Sequence, residues 1–211
     1  MLHVDPELPL AGVLGDLAIH VDEEIGRRHE HPAFAKRLAI EEAKRCLERG
    51  ARGIKLHPRA QRFDAGDARL EPVFALSAEW RVPILIHGGR GLPRIADGLA
   101  RLVESHPGAT LIIAHAGIAD MAHLAEAMAG RRGVFFDTST WSPVDLLDCL
   151  RQVPAEQILF ASDYPYGAYP NALFLALRTA RLAGYDEERI RAMLAGNAMR
   201  IADGSALAEP T

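Results

Sequence analysis

The sequence has 211 residues, 49% hydrophobic and 25% charged, with a formal net charge of −4. That composition is ordinary for a folded protein and excludes collagen-like, disordered and disulfide-scaffold classes. With 24 Lys and Arg against 28 Asp and Glu, the chain lacks the clustered basic excess of a nucleic-acid binder, and no apolar run approaches the roughly 18 residues of a membrane span.

The first 50 residues are the least regular. Leu2–Val4, before Asp5-Pro6, and Leu17–Val21 are candidate short strands. A helix is predicted from about Ala33 to Arg49, with His31-Pro32 at its start and Gly50 as its stop. Further on, short apolar runs alternate with longer helical patterns. The runs are Gly53–His57, Pro83–His87, Leu111–His115, Val134–Asp137 and Ile158–Asp163; the helical patterns lie near 67–81, 92–106, 119–130, 143–152, 170–183 and 186–195. Each run is rich in aliphatic or aromatic residues and bounded by Gly, Pro or Asp, as buried parallel strands are. Their ends, at 57, 87, 115, 137 and 163, are separated by 30, 28, 22 and 26 residues, the length of one repeated βα unit. The fold expected is α/β, of the (β/α)8 barrel type, with six or seven strands and a single domain over 1–211. Such barrels take about 250 residues, with a floor near 200, so the length leaves little room.

Every strong run ends in a polar residue: His57, His87, His115, Asp137 and Asp163. In a parallel barrel all strand C-termini open on one face, where active sites are built. Three imidazoles and two carboxylates are thus expected at one mouth, and these are the ligand types of zinc and similar divalent ions. Taken singly, each has a plainer role: a strand-end His is commonly a hydrogen-bonded structural residue, and Asp at a βα junction often caps the next helix. The N-terminal MLHVDPELPL lacks the basic segment that opens a secretion signal. Cys46 and Cys149 fall in predicted helices without metal or CxxC spacing, so a cytoplasmic protein with reduced cysteines is expected.

The blocks GIKLHP (53–58), PILIHGG (83–89), LIIAHAG (111–117), FFDTST (135–140), ASDYPYG (161–167) and MLAGNAMRI (193–201) together resemble the amidohydrolase-related family of metal-dependent barrel hydrolases and decarboxylases. The resemblance implies that these blocks are strands four to eight and a C-terminal helix. It further implies metal ligation by His87 and Asp163, and a role for His115 in ligation or in polarising substrate. Asp163 and His115 are the catalytic candidates. Lys55, His57, Arg59 and Arg90 are assigned to substrate contacts, the two arginines suiting an acidic substrate.

One departure stands out. The family carries a metal-binding His-x-His pair at the end of its first strand. The single such pair here, His29-Glu30-His31, precedes a helix and reads as a solvated helix start. His20 is followed two residues later by Asp22, and His3 matches a strand that holds no metal. The alignment thus begins near strand three, with the first one or two βα units lacking. His87, Asp163 and His115 make two or three ligands, where zinc sites use three or four. The expected function is hydrolysis of an ester, lactone or amide carbon in a small organic substrate, with zinc as the expected ion. Two alternatives stay open: a metal-dependent decarboxylase, and a catalytically impaired binding protein. A phosphate-binding barrel is disfavoured, because ASDYPYG brings a carboxylate rather than a glycine-rich loop. A small-molecule substrate is the expected partner, with no nucleic acid or membrane; self-association is left open.

Overall fold

The computed structural model describes residues 18–20, 32–140 and 142–207. The predicted strand Leu2–Val4, His3 and the His29-Glu30-His31 pair lie outside these. The described elements are, in order, β1 (Ala18–His20), α1 (Pro32–Glu48), β2 (Gly53–Leu56), α2 (Pro58–Gln61), α3 (Glu71–Trp80), β3 (Pro83–Ile86) and α4 (Ala96–Ser105). They continue with β4 (Thr110–Ile113), α5 (Met121–Met128), β5 (Val134–Asp137), α6 (Pro143–Gln152), β6 (Ile158–Leu159), α7 (Tyr169–Leu182) and α8 (Glu187–Arg191). A π-helical turn, Ala192–Gly196, leads into α9 (Asn197–Ala202).

The six strands form one sheet in sequence order, every neighbouring pair parallel. This is the (β/α) barrel type, open among the described residues, with β1 and β6 at its edges. Strand periodicity sorts the side chains into two layers. Ile54, Leu56, Ile84, Ile86, Leu111, Ile113, Val134, Phe136 and Ile158 pack against the helices, among them Phe74, Leu99, Leu102 and Met128. The alternate positions, Ile112, Phe135 and Leu159, meet Ile201 and Ala206 of the C-terminal segment, with Leu85 alongside. Arg52 and Arg132, which precede β2 and β5, donate to the carbonyls of Ala202 and Leu207. The C-terminal segment therefore covers the inner face from the side where strands begin, which leaves the strand C-termini for a site.

Asn197 anchors that segment. It is buried, and its Nδ2 donates to the carbonyls of Ala155 and Ile158, both at 2.8 Å. Helix α4 shows a cap that local sequence does not contain. Its own N-cap position, Ile95, offers no side-chain acceptor. Instead Asp120, before α5, accepts from the backbone N–H groups of Ile95 and Ala96 at 3.0 Å each.

Two predicted strands stop two or more residues before the expected end. The run Leu111–His115 leaves the ladder after Ile113, because His115 and Ala116 take left-handed backbone (φ 61° and 54°). The run Ile158–Asp163 pairs only over Ile158–Leu159. Beyond it the backbone finds other partners: Phe160 N–H donates to the Met193 carbonyl at 2.8 Å and Ala161 N–H to Thr138 Oγ1 at 3.1 Å. Both cysteines are free, and no described helix is long and apolar enough to cross a membrane.

Candidate active site

Register brings Lys55, Leu85, Ile112 and Phe135 to one level of the sheet. Two residues on, the inward positions at the mouth are His57, His87, Ala114 and Asp137. Strand period alone would send His115 outward, in phase with Leu111 and Ile113. Its positive φ turns it back toward the mouth. A non-glycine residue in this conformation costs on the order of 1–2 kcal/mol and persists only where its surroundings hold it.

Those surroundings are visible. Asp137, buried at the end of β5, accepts at Oδ1 from His115 N–H (2.8 Å) and Ser139 N–H (2.9 Å), and in a very short contact from Ser139 Oγ. Its carboxylate is thus committed to shaping the loop that carries His115, and it is not one of the residues lining the cleft. His115 Nδ1 lies 2.7 Å from the Ser139 carbonyl, and its Nε2 lies 2.9 Å from His87 Nδ1. A carbonyl can only accept, so Nδ1 of His115 carries hydrogen. With both rings neutral, His115 Nε2 then accepts from His87 Nδ1–H, and the lone pair of His87 is on Nε2. His57 stacks on His87 at a centroid distance of 4.0 Å and an angle of 11°. His57 Nδ1 accepts from Ala60 N–H at 3.3 Å, capping α2, while its own N–H donates to Gln61 Oε1 at 2.7 Å.

Burial, reinforced by the neighbouring His115, His57, Lys55 and Arg59, pushes His87 down to about 3, so it is neutral at ordinary pH. Burial likewise lowers His57 and Lys55, Lys55 being partly sustained by Asp137 and Asp163. Asp163 is raised above the usual carboxylate range, by burial and by Asp137, against His115 and Lys55. It too sits in left-handed backbone, at φ 58°.

Asp163, His87, His115 and Arg90 line one cleft of about 450 Å3, together with Ser139 and Thr140. His57, Arg59, Arg62, His87 and Arg90 line an adjoining one of about 530 Å3. Of the residues predicted for the site, His87, His115, Asp163 and Arg90 share the first cleft, and His57 and Arg59 the second; Lys55 lies beneath, lining neither. Arg90 is also drawn to Asp145 of α6 at 2.5 Å. Sequence reasoning missed Ser139, Thr140 and Arg62. The first two had a signal, a run of hydroxyls straight after a strand; Arg62 had none.

Among the described residues no three or more His, Cys, Asp or Glu side chains are arranged to hold a metal ion. The geometry explains it. Both ring nitrogens of His115 are engaged, one by Ser139 and one by His87. His87 Nε2 and the Asp163 carboxyl remain, fewer than the three protein ligands of catalytic zinc. The described residues thus do not fit a complete metal site.

A parallel (β/α) sheet with imidazole and carboxyl groups at its C-terminal mouth belongs to the (β/α) barrel class, in which active sites are built at that face. The amidohydrolase family model matches residues 16–201, and the chain belongs to that family. No curated protein matches the sequence. Solved structures share the fold at low identity. An uncharacterised barrel protein from Bordetella bronchiseptica has a TM-score of 0.61 at 20% identity, covering 81% of this chain and 63% of its own. The 4-oxalomesaconate hydratase of Rhodopseudomonas palustris has 0.61 at 19%, covering 84% and 64%. A dihydroxybenzoic acid decarboxylase from Polaromonas, solved with manganese and an inhibitor, has 0.57 at 18%, covering 80% and 66%. The chain thus spans less than two thirds of the length of the first two.

Proposed function

We propose that this protein hydrolyses an ester, lactone or amide bond in a small acidic substrate. The observation that carries this is the placement of Asp163. Its carboxyl is lifted by burial and shares a cleft with the His87–His115 pair. A carboxyl so tuned can take a proton from attacking water and return it to the leaving group. The reacting carbonyl would lie between Asp163 and the hydroxyls of Ser139 and Thr140, with its acid group toward Arg90. In the neutral arrangement His115 Nε2 accepts from His87, so His115 can donate to a substrate oxygen only as imidazolium. His115 is therefore first a holder of His87.

The proposal includes a divalent ion, zinc by the family resemblance, for which the described residues supply His87 and Asp163 and no third ligand. Decarboxylation of an aromatic or unsaturated acid is the second reading, favoured by the decarboxylase among the structural neighbours. There Asp163 would protonate the carbon left by CO2.

A panel of carboxylated lactones, esters and amides, assayed for acid release with and without added zinc or manganese, tests the proposal. Dihydroxybenzoates assayed for CO2 test the alternative. Turnover abolished by Asp163→Asn in a folded protein supports the assignment. Unchanged turnover in that variant and in His87→Ala removes it. Absence of turnover on both panels, with binding retained, favours a binding protein.

A further inference from the structure

Among the described residues, the cleft beside the Asp163 site is lined by three arginines and two histidines, with no carboxylate. Arg59 comes from α2, Arg62 from the turn that ends α2, and Arg90 from the loop after β3. Arg90 is already matched to Asp145. Among the described residues neither Arg59 nor Arg62 forms an ion pair, and both are exposed. Arg59 lies against the β3 loop, where a Cβ on Gly91 would be 3.6 Å from its Nη1. His87 and Arg90 line both clefts, so the two are continuous.

We infer that Arg59 and Arg62 form a second anion subsite, which selects substrates carrying an additional carboxylate remote from the reacting carbon. Neighbouring like charges repel each other and are relieved by a bound anion. Guanidinium forks match planar carboxylates in bidentate fashion. Phosphate is the less suited anion, because the backbone donors nearest the cleft are spent: His57 Nδ1 takes Ala60 N–H, and Gln61 takes His57 N–H. The subsite gives the acidic substrate its class, a di- or tricarboxylate. This rests on the proposed hydrolase for the position of the reacting carbon, whereas anion capture is measurable without turnover.

The test is calorimetric binding of tricarballylate, butyrate and glycerol 3-phosphate to the purified chain and to Arg59→Ala and Arg62→Gly. Arg62 has left-handed backbone at φ 54°, so glycine removes the guanidinium without adding strain. Wild type is expected to bind tricarballylate at least tenfold more tightly than butyrate. Each variant should lose on the order of 10- to 100-fold for tricarballylate, and thermal melts should show both variants folded. Equal affinity of wild type and both variants for tricarballylate overturns the inference. So does equal affinity of wild type for tricarballylate and butyrate, or tighter binding of glycerol 3-phosphate than of tricarballylate. Failure of the lactone and ester panel with these binding losses intact would remove the hydrolase reading alone.

Discussion

His87 and His115 meet ring nitrogen to ring nitrogen, 2.9 Å from Nδ1 to Nε2, and the Ser139 carbonyl sets the direction of that bond. Because the carbonyl claims the Nδ1 proton of His115, the lone pair of His87 is left on Nε2. One backbone oxygen on the loop after β5 thereby decides the tautomer of a histidine at the end of β3.

Asp137→Ala is expected to destabilise the protein by about 3 kcal/mol, since it leaves the N–H groups of His115 and Ser139 without their acceptor. Asp137→Asn keeps an acceptor and should cost less. Urea unfolding of both variants measures the difference. Equal stability of wild type and Asp137→Ala would contradict the role given to this carboxylate.

Gly89→Ala addresses the histidines without touching them. A Cβ there would come within 2.7 Å of His87 Cε1, 2.8 Å of His87 Nε2 and 3.2 Å of His115 Cδ2. The expected result is a folded protein that has lost at least tenfold in turnover or ligand binding, because a shift on the order of 1 Å at reacting groups costs about 100-fold. A variant with wild-type binding and turnover would show that the rings move aside freely.

Without added metal, stability should fall as pH drops from the ordinary histidine value of 6.5 toward about 3. Across that window the unfolded chain binds a proton at His87 that the folded chain refuses, so the unfolded state gains. Asp120 acts lower down. Burial favours its neutral form, but hydrogen bonds from Ala96, His123 and Ile95 prevail and hold its carboxyl below 3.8. Its contribution is complete above that value and is lost as the pH falls through the depressed one. Urea unfolding at pH 7, 5.5 and 4.5 should show the decline, and His87→Gln should flatten it. An unaltered slope in the variant would place the titration elsewhere.

Asn197→Ala should cost about 2–3 kcal/mol, because two buried carbonyls, of Ala155 and Ile158, lose their donor together. The thermal midpoint is the readout. The same variant should loosen the C-terminal segment from the inner face, seen as faster amide exchange in α9.

Added zinc or manganese should raise the melting temperature of the wild type if His87 and Asp163 contribute to an ion site, since a ligand that binds only the folded state stabilises it. His87→Ala and Asp163→Asn should each abolish the rise. A rise that survives both changes would locate the ion on other residues.

The five apolar runs from Gly53 to Leu159 and their spacing are sufficient to read a parallel α/β sheet of barrel type, because strand and helix periods are local properties of the chain. The sequence also placed a polar residue near each strand end, and the ordered blocks marked the family. What it could not contain was direction. Strand alternation alone sends His115 away from the mouth, and only a strained φ, supported by the Asp137 carboxylate from the next strand, returns it. Asp163 looked like a strand end, yet the strand stops at Leu159 because Phe160 bonds to the π-helical turn more than 30 residues on. Asp120 caps a helix 24 residues earlier. Composition and period determined which elements exist and which residue types gather at their ends. Hydrogen bonds between residues distant in the chain decided where those side chains point, and no local pattern encodes such bonds.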